Sequence, residues 1–287
     1  MELQGKRVIV TGANTGLGYE TALVLYKKGA DVIVACRNLK KAEDAVRRIK
    51  ESVDGGSLEI RSLDLSSLES IKTFAKDFLA SNSRLDLLIN NAGVMVPPPS
   101  KSQDGFEMQF GVNFLGHFAL TGWLFALLDN TTNARVVTLS SIAHRGASID
   151  FNNLRLEKPY DKWREYGQSK IACLIFSLEF HKRLLAKGSD VLSLAAHPGI
   201  SQTELQRNID PAIMINLNPM TAEEGALPTL TAALSYDVKS GEYYGPDGPE
   251  EKSGKPALAK IDQGAKDQKI NAKLWEFAEK ITGVSYP

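Results

Sequence analysis

Tyr166 and Lys170 stand one helical turn apart in the run Tyr-Gly-Gln-Ser-Lys. At i and i+4 two side chains share one helix face and can act on one ligand. A phenol can exchange a proton with an alcohol or carbonyl oxygen, but free tyrosine, with a pKa of about 10, is a poor base at neutral pH. A lysine charge about 4 Å away would stabilise phenolate by roughly 4 kcal/mol at an effective dielectric of 20. That would suit the phenol to general acid–base work. Redox chemistry also needs a hydride carrier. Thr11-Gly12-Ala13-Asn14-Thr15-Gly16-Leu17-Gly18 follows the apolar run Val8-Ile9-Val10 and precedes a helix-like stretch. A glycine-rich turn between strand and helix lets a dinucleotide pyrophosphate reach backbone amides at the helix N-terminus. The two motifs together read as a nicotinamide-dependent oxidoreductase.

In such a turn Gly12, Gly16 and Gly18 serve tight turning, close phosphate approach and helix–strand packing, while Asn14, Thr15 and Leu17 supply backbone contacts. The end of the second strand reads Cys36-Arg37-Asn38, without a carboxylate. An acidic residue there would bind ribose hydroxyls and repel a 2′-phosphate. A guanidinium can instead pair with that phosphate and stack on adenine, so NADP(H) is expected over NAD(H); Lys41 either adds charge or is a solvated helix-surface lysine. Ser140 and Ser141 end the fifth strand and point to opposite faces; one of them can orient a substrate oxygen and stabilise its developing charge.

The motif TGxxxGxG at 11–18, Asn90-Asn91-Ala92-Gly93, Ser141 and the Tyr166/Lys170 pair together resemble the short-chain dehydrogenase/reductase family, in its order, over about residues 5–247. Val34-Ala35-Cys36-Arg37-Asn38 and the Ser-Ser-Ile-Ala-His segment at 140–144 resemble, more narrowly, its retinol-dehydrogenase-like branch. The resemblance implies that Ser141 rather than Ser140 faces substrate. It implies that Asp64 with Leu65 contacts the adenine amino group, and that Asn91, Ala92 and Gly93 lie against the adenosine ribose. It implies further that Pro198, Gly199 and Ile200, with Thr203, hold the carboxamide. Asn113 matches an asparagine that breaks a helix and holds a water linking the lysine to solvent; a buried asparagine packing two elements together is the other reading. Asp64 could equally cap the helix beginning near Ser66 or Ser67. Relatives associate through the helix that carries the tyrosine, which implies a homodimer or homotetramer.

Apolar runs at 7–11, 31–36, 58–63, 85–90, 134–140 and 190–196 read as strands. Segments near 17–29, 39–53, 67–81, 104–129 and 162–188 carry helical periodicity. Nearly continuous Val/Ile/Leu strands alternating with helices predict an α/β fold, a single doubly wound (Rossmann-type) domain over 1–287 with a mostly parallel sheet and helices on both faces. Its ligand crevice lies at the carboxyl ends of the strands, and every motif named above falls at such an end or on the helix after it. A helix near 221–235, a short strand around 241–245 and a helix near 266–282 finish the chain. The apolar, proline-punctuated segment 198–220 is expected to form a substrate loop, and 246–256 reads as an exposed loop. Val94, Met95, Val96, Ile200, Leu205, Met214 and Leu217 are candidate pocket residues. Apolar walls of this kind predict a lipophilic alcohol, aldehyde or ketone as substrate.

The 34 Lys and Arg balance the 34 Asp and Glu, so no global field favours nucleic acid or an anionic membrane. Cys36 and Cys173 have neither a CxxC partner nor metal-ligand spacing and read as reduced core thiols. With an N-terminus that lacks an export pattern, they lead to the expectation of a cytoplasmic protein without a membrane anchor. The longest apolar stretch, Phe114 to Leu128, is read as too short to span a bilayer. His117 and His197 read as structural, and His144 as a weak candidate for substrate contact. A non-catalytic dinucleotide-binding sensor on the same fold is the competing reading; the intact Ser141, Tyr166 and Lys170 set argues against it.

Overall fold

The computed structural model describes residues 2–210, 212 and 217–286; Met214 lies outside them. Alternate residues of each strand face opposite sides, and in the central strands both sides are apolar. Along β1 (Arg7–Thr11), Val8 and Val10 enter one core while Ile9 enters the other. β2 (Asp31–Cys36) repeats this, with Val32 and Val34 on the first side and Ile33 and Ala35 on the second. Burying such a side chain contributes about 1.5–3 kcal/mol, so these strands need helices on both faces.

One sheet results, with strand order β3-β2-β1-β4-β5-β6-β7-β8. Its further strands are β3 (Ser57–Ser62), β4 (Leu87–Asn90), β5 (Arg135–Leu139), β6 (Leu192–Ala196), β7 (Tyr243–Pro246) and β8 (Pro256–Leu258). All neighbours pair in parallel except β7 with β8. On one face pack α1 (Gly16–Lys27), α2 (Leu39–Ser52) and α6 (Ala222–Leu234); on the other pack α3 (Leu68–Ser81), α4 (Gly116–Asp129), α5 (Lys162–Lys187) and α7 (Gln268–Thr282). The order reverses between β1 and β4, and a crevice opens at such a switch point.

Three expectations change. The helix expected from 104 starts only at 108, because Gly105 takes φ +80° and Lys101 bridges to Glu107. It opens with a π-helical stretch, Phe110–Leu115, that runs into α4. Phe110–Asp129 is therefore a 20-residue apolar helix, long enough by length and composition to cross a membrane, and 78% of its most apolar window is buried inside the fold. Finally, the loop at 246–256 is exposed at Asp247, Pro249, Glu250, Gly254 and Lys255 but carries more structure than its composition suggests. It contains a short 3-10 turn, Pro249–Glu251, whose Glu251 is buried, and ends in β8.

Candidate active site

A cleft of about 1010 Å³ runs along the carboxyl ends of the strands, and every residue assigned to the cofactor from sequence lines it. Its floor is the β1–α1 turn. Gly16 takes φ +54°, and a Cβ on Gly18 would stand 2.4 Å from the Gly12 carbonyl, so the turn closes this tightly only with glycine. The N-terminus of α1 has no side-chain cap and no acidic residue in its first turn. By contrast α2, α3, α5, α6 and α7 are capped by Asn38, Ser67, Asp161, Thr221 and Asp267. The first amides of α1 therefore remain available to an anion. A glycine cradle under uncapped amides fits a dinucleotide pyrophosphate.

Thr11 fastens this floor to β4. Its Oγ accepts from Asn91 N and Ala92 N at 2.9 Å each, and Asn91 Nδ2 donates to Thr11 O at 2.7 Å. His117 bridges Thr11 Oγ and Asn113 O, each at 2.9 Å. Complete burial pushes its pKa down to about 4; it is a neutral structural link.

At the end of the cleft beside β2, the Arg37 side chain is 72% exposed, with a guanidinium nitrogen 4.0 Å from Asp64 Oδ1. Asp64 does not cap α3, since Ser67 does; its Oδ1 accepts instead from Ser66 N and Oγ at 2.9 and 2.7 Å. Lys41 reaches across to Glu204 on the facing loop, Nζ to Oε2 2.8 Å, and holds that carboxyl below its ordinary range. The sequence placed neither partner against the other.

At the opposite end, Ser141, Tyr166 and Lys170 all line the cleft. Ser141 Oγ accepts from Ala143 N at 3.2 Å, which leaves its O–H to donate. Ser140 also borders the cleft, just past the end of β5, but its Oγ is engaged elsewhere, donating to Lys170 O at 2.8 Å. Lys170 Nζ donates to Leu139 O at 3.2 Å and sits 5.8 Å from the centroid of the Tyr166 ring. Two ammonium hydrogens remain for a ligand. Asn113 does not line the cleft. Its Oδ1 accepts from Val94 N at 2.8 Å, and its Nδ2 donates to Val94 O and Ser169 Oγ at 3.0 Å each. It thus braces the Val94 loop against α5. His144 is fully buried, with Nδ1 on Ser141 O at 2.6 Å, and does not face the cleft.

Apolar side chains wall the remaining space, among them Val94, Met95, Ile200, Leu205 and Leu217. Val96 is the correction: it is buried behind the wall, packed with Met95 and Tyr166, because φ +42° at this residue turns it inward. Thr203 lines the cleft, but its hydroxyl caps the 3-10 helix Glu204–Asn208, donating to Gln206 Oε1 at 2.8 Å and accepting from Leu205 N at 3.2 Å. Trp163, Arg145 and Glu250 also line the cleft and went unread in the sequence. Trp163 is half exposed, 6.4 Å from Tyr166 in an edge-on arrangement. Its i−3 spacing from Tyr166 was the available signal; nothing local marks the other two. Cys36 and Cys173 are free and buried, and burial pushes each thiol up to about 11.

Comparison with known proteins is consistent with this layout. The sequence profile described as short chain dehydrogenase matches residues 6–213. Retinol dehydrogenase 12 of Mus musculus is 39% identical, over 100% of this chain and 89% of its own length. Retinol dehydrogenase 11 of Mus musculus is 41% identical, over 99% and 88%. Among solved structures, an uncharacterized protein from Mycobacterium paratuberculosis superposes with a TM-score of 0.84 at 39% identity, covering 99% of this chain and 96% of that one. The Pseudomonas aeruginosa RhlG/NADP active-site complex shares the fold, with a TM-score of 0.68 at 24% identity over 84% of this chain and 94% of its own.

Proposed function

The chain belongs to the short-chain dehydrogenase family, and from that membership we propose that it interconverts a lipophilic alcohol and its aldehyde or ketone, with NADP(H) as cofactor and Tyr166 as acid and base. The observation that carries this reading is the convergence of Ser141, Tyr166 and Lys170 on one cleft with the uncapped α1 N-terminus. When bound, the nicotinamide supplies or accepts the hydride. Backbone amides of the β1–α1 turn hold the pyrophosphate, and Lys170 holds the nicotinamide ribose hydroxyls with the ammonium hydrogens not given to Leu139. Ser141 donates its hydroxyl hydrogen to the substrate oxygen and stabilises charge developing there. Tyr166 gives a proton to that oxygen in reduction and removes it in oxidation. Asn113 keeps Val94 and α5 at fixed spacing beneath the reacting groups.

Preference for NADP(H) rests on Arg37, with Lys41 beside it. A charge-assisted hydrogen bond of about 1.5–3 kcal/mol corresponds to roughly 10- to 150-fold in affinity. The substrate class rests on the apolar wall, and the similarity to retinol dehydrogenases supports it. Consumption of NADPH against a panel of aldehydes and ketones graded from hydrophilic to lipophilic tests the proposal. Turnover should rise with lipophilicity; activity confined to small hydrophilic carbonyls, or none across the panel, would overturn it.

A further inference from the structure

The segment 246–256 packs beneath the Pro198–Ile200 loop. Gly199 takes φ +63°, and a Cβ there would stand 2.4 Å from the Lys252 carbonyl oxygen. Ile200 N donates to that same oxygen at 2.8 Å. Just before it, Glu250 and Glu251 hold φ +54° and +57°. Successive left-handed residues other than glycine persist only where their surroundings over-determine them.

Glu251 shows what does so. Its Oε2 lies 3.0 Å from His197 Nε2 and 2.5 Å from Arg145 Nη2, and its Oε1 accepts from Lys260 N at 3.0 Å. His197 is fully buried, and its other nitrogen, Nδ1, accepts from Gly199 N at 3.2 Å. An Nδ1 that accepts carries no hydrogen, so the proton of the neutral ring sits on Nε2 and is donated to Glu251. Burial lowers the His197 pKa and favours that neutral form. Room for the ring comes from Gly245, where a Cβ would stand 1.9 Å from Nε2. The buried carboxylate, the imidazole and the Gly199 amide thus form one hydrogen-bonded line.

We propose that Glu251 is a positioning residue for the nicotinamide end of the cofactor: through His197 it fixes the Gly199 amide, and its backbone turn presents the Lys252 carbonyl that seats Gly199 and Ile200. This rests on the proposed use of Pro198–Ile200 against the carboxamide. The line acts at the end of β6, whereas Arg37 follows β2. Four strand spacings of about 4.8 Å separate them, roughly 19 Å. A disturbance at Glu251 should therefore be felt at one end of the cofactor only.

Affinities of the full-length protein for NADPH and for 2′-phospho-ADP-ribose, which lacks nicotinamide, separate the two ends. Glu251→Gln should weaken NADPH about 10-fold or more while the affinity for 2′-phospho-ADP-ribose stays within about twofold. Retained binding of the fragment also reports an intact fold. If Glu251→Gln binds neither ligand, His197→Gln, which keeps a donor toward Glu251 but removes the acceptor for Gly199, is read by the same criterion. Equal weakening of both ligands in the folded variant, or no weakening of either, overturns the inference. Failure of the wild type to bind NADPH or NADH overturns instead the proposed function on which it rests.

Discussion

Arg37 stands at the cleft edge, and its contact with Asp64 at 4.0 Å is too loose and exposed to hold it. Its guanidinium is therefore free to meet a phosphate. Arg37→Asp should turn the protein toward NAD(H), since a carboxylate repels a 2′-phosphate and accepts from free ribose hydroxyls. The ratio of kcat/KM for NADPH and NADH, in both proteins, measures this; a wild type that already prefers NADH would mean that Arg37 only faces solvent. Glu204 adds a second expectation. Its carboxylate competes for Lys41, so Glu204→Gln should tighten NADPH severalfold and leave NADH nearly unchanged, as fluorescence titration would show. The position of Arg37 on the cleft was readable because it follows from its place at a strand end. The Lys41–Glu204 pair was not, because its partners lie 163 residues apart and each looks locally like a solvated charge.

Among the elements, the 3-10 helix Glu204–Asn208 and its flanks form one wall of the cleft. Thr203 and Gln206 cap it reciprocally, yet none of its residues is buried. Such a segment sits at the low end of local stability. Residues 201–209 should gain hydrogen-exchange protection of about tenfold or more when NADPH and a substrate analogue bind together, with β1 and β4 unchanged. Equal exchange in free and liganded protein would remove the case for a closing loop. The strands and helices of the sheet were legible because local apolar periodicity suffices for elements buried on one or two faces. The turn at Pro249–Glu251 was not. Pro-Asp-Gly-Pro-Glu-Glu has the composition of an exposed loop, and Asp247, Pro249 and Glu250 are exposed; Glu251 alone of the turn is held inside, by His197 and Arg145, through contacts that no local pattern encodes. Val96 was misread for a related reason: its apolar side chain suits a wall or a core equally, and φ +42° decided for the core.

For the molecule as a whole, buried titratable groups shape stability against pH from both sides. His117 is neutral when folded, with its pKa near 4, so between about 6.5 and 4 the unfolded chain binds more protons and stability falls as pH falls. Glu107 does the reverse. Burial raises its carboxyl to about 7, so the folded state binds more protons between about 4.5 and 7 and stability falls as pH rises through that window. Each effect is on the order of 3 kcal/mol. Between about 4.5 and 6.5 the two nearly cancel, so melting temperature should be flat there, with the His117 loss left uncompensated below about 4.5 and the Glu107 loss above about 6.5. Glu107→Gln should raise it at pH 8 far more than at pH 5; an equal change at both values would contradict the assignment. Both groups lie in or beside the helix that opens with Phe110–Leu115, whose apolar run was visible while its burial depth was not.

The most direct test of the proposed chemistry is hydride transfer by Tyr166→Phe, measured as NADPH oxidation with a lipophilic aldehyde alongside NADPH affinity in the same preparation. Loss of at least about a hundredfold in kcat, the scale of general acid–base catalysis, with affinity within about threefold of wild type, is the expected result. Turnover at the wild-type rate in a variant that still binds NADPH would contradict the role of Tyr166 as proton donor.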